Sequence, residues 1–107
     1  MSEQTQDQTT ALQDIVISDS VAVVTGGASG IGKGIVGALL RHRAKVVIAD
    51  IEQSAIDETV AEISALGDVT GIRTDITDEA SVKALADVVY ERHGKVNLLY
   101  NNAGVTS

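Results

Sequence analysis

The sequence predicts an α/β domain of order βαβαβαβ, with one doubly wound parallel sheet truncated to four strands. Three observations lead there. Short apolar runs alternate with segments whose apolar residues recur at helical spacing. The connections are short, which with right-handed crossovers makes the strands parallel. The 44% hydrophobic content is almost all Ala, Val, Ile and Leu, with no Pro or Cys and only Tyr90 and Tyr100 as aromatics. Such a composition suits a parallel sheet covered on both faces. At 107 residues the chain has room for one domain with a modest core.

The elements follow in order. Residues 1–18 read as a polar, disordered leader rich in Gln, Thr and Asp, and residues 19–107 as the folded domain. Val21–Val24 is the first strand. Gly30 to about His42 carries Ile31, Ile35, Ala38 and Leu39 as the apolar stripe of a first helix. Lys45–Ala49 is the second strand, ending at Asp50. Ser54–Leu66 places Ile56, Val60 and Ile63 on one helical face, with Gly67 as its stop. Val69–Arg73 is a third strand, closed by Asp75. Thr77 is the expected N-cap of a third helix, with Asp78 and Glu79 in its first turn and Val82, Leu85, Ala86 and Val89 as its buried stripe, ending near Gly94. Val96–Tyr100 is the fourth strand, running into Asn101-Asn102-Ala103-Gly104.

The formal net charge is −7, and residues 1–20 supply −4 of it through Glu3, Asp7, Asp14 and Asp19. The other 11 acids face the chain's 8 Lys and Arg, so neither part offers the basic patch that nucleic acid would need. No apolar run approaches the ~20 residues of a membrane helix, and the N-terminus lacks the pattern of a signal peptide. Absence of cysteine excludes a disulfide framework and fits a cytoplasmic protein.

The chemistry concentrates at the strand ends. Thr25-Gly26-Gly27-Ala28-Ser29-Gly30-Ile31-Gly32 joins the first strand to the first helix, the arrangement that aims backbone N–H groups and a helix dipole at a phosphate. Asp50, Asp75 and Asn101–Gly104 all fall at the same end of the sheet, where doubly wound folds bind their ligands. Read alone, Asp50 would be a solvated acid closing a strand.

Three glycine patterns compete. Gly32-Lys33-Gly34-Ile35-Val36-Gly37 matches G-x-G-x-x-G but lies inside the helix, where Gly34 and Gly37 are expected to let the helix pack closely on the sheet. Gly27 to Lys33 matches a P-loop, yet Gly34 stands where the metal-ligating hydroxyl belongs. The third pattern, Gly26-x-x-x-Gly30-x-Gly32 after a strand, resembles the cofactor fingerprint of the short-chain dehydrogenase/reductase family, whose dinucleotide-binding unit has a Rossmann-type fold. The resemblance runs over roughly residues 19–107, through Asp50, Asp75-Ile76 and Asn101-Asn102-Ala103-Gly104.

This resemblance implies an NAD-dependent oxidoreductase that transfers hydride between nicotinamide and an alcohol or ketone. It implies that Gly26, Ser29, Gly30, Ile31 and Gly32 surround the pyrophosphate and adjoining ribose. Asp50 would accept hydrogen bonds from the adenosine ribose, Asp75 and Ile76 would contact the adenine, and Asn102, Ala103 and Gly104 would pass under the cofactor riboses. NAD is favoured over NADP, because the Asp50 carboxylate repels a 2′-phosphate and neither Ile51 nor Ser29 supplies a base. Asn97 stands where relatives commonly carry aspartate, and no function is assigned to it.

The family's catalysis depends on a Tyr-x-x-x-Lys pair with an upstream serine. Tyr90 and Tyr100 are each followed at the fourth place by glycine, so neither fits, and no catalytic residue is assigned. His42 and His93 read as surface residues at helix ends. By resemblance the chain is the N-terminal portion of an enzyme more than twice as long, inactive alone, whose complete form is a homo-oligomer. A non-catalytic nucleotide-binding or interaction module is the alternative, and a methyltransferase a more distant one, opposed by the Asn-Asn-Ala-Gly segment.

Overall fold

A computed structural model describes residues 19–28 and 30–101. Strands β1 (Val21–Thr25), β2 (Lys45–Asp50), β3 (Val69–Arg73) and β4 (Leu98–Asn101) form one sheet in the order β3-β2-β1-β4. All three pairings are parallel. Helices α1 (Gly30–Arg41), α2 (Gln53–Ile63) and α3 (Glu79–His93) supply the crossovers, so the Rossmann-type α/β order expected from the sequence is the one observed. The leader assigned to residues 1–18 lies outside the described residues.

Period-two alternation in the strands sorts the core into two layers. Ala22, Val24, Val46, Ile48 and Val69 face α1 and α2, packing on Val36, Leu39, Leu40, Ile56 and Ile63. Val21, Val23, Val47 and Ala49 face α3, where Leu85 and Val89 cover them. The chain therefore winds to one side of β1 and then crosses to the other. Between β1 and β4 lies the point where the direction of winding changes.

Several local expectations need correction. In α1 the buried residues are Gly32, Val36, Gly37, Leu39 and Leu40, whereas Ile31 is 77% exposed and Ala38 is exposed. Apolar residues occur around most of this helix, so periodicity alone does not choose the inward face; the side chains of β1 and β2 choose it. Gly34 does not pack on the sheet, since a Cβ there would meet nothing within 4 Å, and one on Gly37 would meet only the Arg41 side chain. The close approach occurs at Gly27 and, between β3 and α2, at Gly71, where a Cβ would collide with Ile56.

The cap of α3 is Asp78, not Thr77. Asp78 is extended and its Oδ1 accepts the Ala80 N–H at 3.0 Å, while Thr77 is engaged with Asp75. The last turn of the second helical segment tightens to a 3₁₀ turn over Ser64–Leu66. Strand β4 starts at Leu98 and not at Val96, because the Asn97 side chain takes over the first bond to β1: its Oδ1 accepts the Val21 N–H at 2.9 Å. On α3 only Leu85 and Val89 are buried. Val82 and Ala86 instead line an open apolar groove of about 260 Å³ with Val96 and Leu99, because α3 covers β1 and β2 and leaves β4 bare. Among the described residues no helix is long and apolar enough to cross a membrane.

Candidate functional site at the carboxyl ends of the strands

The ends of β1, β2 and β3 bring the glycine turn and two acids together. After Thr25 the backbone turns at Gly26, which has φ 67° and donates its N–H to the Ala49 carbonyl at 2.7 Å. Gly26 thus contributes the shape of the turn, a conformation that favours glycine. Gly27 presses the loop onto the core. A Cβ there would stand 3.1 Å from Ile48 Cγ2 and from the Val24 carbonyl, and 3.2 Å from Val36 Cγ2. Ala28 then donates its N–H to Asp50 Oδ2 at 3.3 Å. The turn and the Asp50 carboxylate are therefore neighbours, as a site for a phosphate and its attached sugar requires.

Helix α1 begins at Gly30, with φ 40° and open space where a Cβ would be. The first N–H groups of an α-helix have no partner within the helix, and its dipole favours an anion there. Ile31 is exposed beside this opening and Gly32 is buried. Ser29, Asn102, Ala103 and Gly104, also assigned to the site, lie outside the described residues. The last described residue before that segment, Asn101, is in register with Thr25, whose hydroxyl donates to Asn101 Oδ1 at 3.0 Å and to the Tyr100 carbonyl at 3.3 Å.

Both acids are oriented by the backbone. Asp50 Oδ1 accepts the Glu52 N–H at 3.2 Å, complementing the bond of Oδ2 to Ala28. The Asp50 carbonyl accepts the Thr74 N–H at 2.7 Å, which sets Asp75 beside the end of β2. Asp75 Oδ1 accepts the Thr77 hydroxyl at 2.6 Å and the Thr77 N–H at 2.9 Å. These bonds, the hydroxyl foremost, hold the Asp75 carboxyl below its ordinary range. Its N–H donates to Ser81 Oγ at 2.9 Å, and Ile76 is exposed alongside.

Lys33 is held in an ion pair with Glu62 of α2 at 2.6 Å, away from the role a P-loop lysine would have. Among the described residues no three His, Cys, Asp or Glu cluster as metal ligands do. Sequence reasoning missed Thr59 and Ser81, and noted Asn97 without giving it a role. Their signal was faint: a lone polar residue on an apolar helix face, a serine in the first turn of α3, and a side chain that substitutes for backbone.

A Rossmann-type parallel sheet with its glycine turn and acids at the carboxyl edge defines the class. Comparison with known proteins narrows it. The family model for short chain dehydrogenase matches residues 20–107, and the chain belongs to the short-chain dehydrogenase/reductase family. It is 44% identical over 90 residues to (+)-borneol dehydrogenase 1 of Salvia officinalis, covering 83% of this chain and 34% of that one. A short-chain dehydrogenase/reductase from Burkholderia phymatum, solved in complex with NAD, superposes with a TM-score of 0.75 at 39% identity, over 78% of this chain and 30% of that one. The Pseudomonas aeruginosa RhlG/NADP active-site complex gives 0.77 at 36% identity, over 83% and 36%. The chain spans about a third of the length of the curated relatives it matches.

Proposed function

We propose that this chain forms the dinucleotide-binding part of an NAD-dependent oxidoreductase acting on a small alcohol or ketone. The observation that carries the reading is the 3.3 Å bond from Ala28 N–H to Asp50 Oδ2, which joins the glycine turn to the acid at one edge. The residues fit a dinucleotide: Gly30 leaves open space at the helix head, Asp50 accepts from the turn that leads to it, and Asp75 follows the bond from Thr74 to the end of β2. Gly30, Ile31 and Gly32, with Ser29, would hold the diphosphate. Asp50 would accept from the ribose hydroxyls, and Asp75 with Ile76 would meet the adenine. Asn102, Ala103 and Gly104 would run beneath the riboses.

When bound, a nicotinamide dinucleotide supplies hydride transfer between its C4 and the carbon of the substrate. This chain's own part is to bind and orient; no proton-transfer residue is assigned to it. The preference for NAD is argued from charge. A carboxylate at Asp50 that already accepts two backbone N–H bonds is held as an acceptor and would repel a 2′-phosphate. Relatives solved with either dinucleotide superpose on the chain, so the test is discrimination. Calorimetric titration of the full-length protein is expected to give tighter binding of NAD than of NADP, with the ratio narrowed in Asp50→Ala. Equal binding of both by the unaltered protein would overturn the preference, and binding of neither would overturn the reading.

A further inference from the structure

Ala28 is gripped at both of its backbone polar groups. Its N–H goes to Asp50, and its carbonyl accepts the hydroxyl of Thr59 at 3.4 Å. Thr59 stands on α2, 31 residues further along the chain, and is only 2% exposed. The inward face of α2 is otherwise apolar, with Ile56 and Ile63 buried and Val60 partly so. A threonine in a helix commonly turns its hydroxyl back to a carbonyl of the preceding turn. Thr59 reaches the glycine turn instead, and an apolar side chain of the same shape would fill the space equally well.

We propose that Thr59 is a positioning residue for the dinucleotide loop, an inference that rests on the functional reading above. By holding the Ala28 carbonyl, Thr59 fixes the glycine turn two positions before the head of α1 at Gly30. The position of Ala28 limits where the helix head can stand and hence where its first N–H groups aim. Gly27, wedged against Ile48 and Val36, pins the neighbouring peptide. The loop is thereby formed in advance of its ligand, which lowers the ordering cost of binding. Thr59 itself touches no cofactor.

The test compares Thr59→Val, which removes the donor and keeps the shape, with Thr59→Ser, which keeps the donor. Full-length protein is titrated with NAD well below its melting temperature, and melting is recorded without ligand. Loss of one positioning hydrogen bond is expected to weaken NAD binding roughly threefold to tenfold in Thr59→Val. Turnover at saturating NAD should be unchanged, and Thr59→Ser should bind close to the unaltered protein. A purely structural threonine would lower the melting temperature of Thr59→Val and leave its NAD affinity untouched, and that result overturns the inference. Should Thr59→Val fail to fold, Thr59→Cys, a weak donor of similar size, is measured in its place with the same two outcomes. If the unaltered protein binds neither NAD nor NADP, the functional reading falls and takes this inference with it; if it binds and Thr59→Val binds as well, this inference falls alone.

Discussion

Asn97 and Val21 exchange two hydrogen bonds: Asn97 Oδ1 accepts the Val21 N–H, and the Asn97 N–H donates to the Val21 carbonyl, each at 2.9 Å. One residue ahead of β4 thus closes the start of the central strand with its side chain and its backbone together. The exchange fixes the register in which Ala22 meets Leu98 and Thr25 meets Asn101, and so sets where β4 delivers the chain relative to the glycine turn.

Removing that acceptor leaves the N–H of the buried Val21 unpaired. Asn97→Leu is expected to cost about 1–3 kcal/mol of stability, the usual penalty for an orphaned buried donor. Asn97→Asp keeps an acceptor and should stay close to the parent. Urea denaturation of the two variants of the full-length protein checks the difference.

Two glycines should respond in opposite directions. Gly27→Ala forces a Cβ to within 3.1 Å of Ile48 and the Val24 carbonyl, and overpacking of this kind costs about 1–3 kcal/mol. Because the same clash lifts the loop, NAD affinity should fall with it. Gly34→Ala meets open space in the interior of α1 and should stabilise by about 0.5–1 kcal/mol through helix propensity. Thermal melts of both variants, with NAD titrations, provide the comparison.

The Asp75 carboxyl is held below its ordinary range, chiefly by the Thr77 hydroxyl and then by the Thr77 N–H. A depressed folded-state pKa means that its stabilising contribution is present above the ordinary carboxylate value and is lost as pH falls through the depressed one. In a carboxyl-carbon NMR titration the Asp75 midpoint should lie below the model-peptide value of about 3.9. Thr77→Val should raise it toward that value, and an unchanged midpoint would deny the hydroxyl its part.

Strand β4 pairs with β1 on one side and has no neighbouring strand on the other among the described residues, while Leu99 is 67% exposed beside the uncovered groove under α3. An apolar edge of this kind promotes association. The 107-residue polypeptide by itself should self-associate with rising concentration in sedimentation experiments, and Leu99→Lys should reduce it.

The sequence showed the sheet because its strands are short apolar runs between helices of clear period, with Gly94 and Gly67 marking stops. It showed the site because the glycine turn, Asp50 and Asp75 each follow a strand directly, and strand ends gather at one edge. What it hid depends on contacts between distant segments. Nothing local distinguishes Val36 from Ile35 as the inward residue of α1, since both are apolar and only the sheet beneath decides. Thr77 and Asp78 are both good caps; the Asp75 carboxylate claims the first and leaves the second for the helix. Asn97 imitates a strand residue with its amide, and Thr59 reaches across from another helix, so neither role follows from a local pattern.

The central claim is that the head of α1 and the ends of β2 and β3 hold one dinucleotide between them. Amide chemical-shift mapping of the full-length protein during an NAD titration tests it most directly. The expected result is that Gly30, Ile31 and Gly32 shift together with Asp50 and with Asp75 and Ile76, at one common dissociation constant. Shifts confined to the far edge around Thr70, Gly71 and Arg92, with the helix head unmoved, would contradict it.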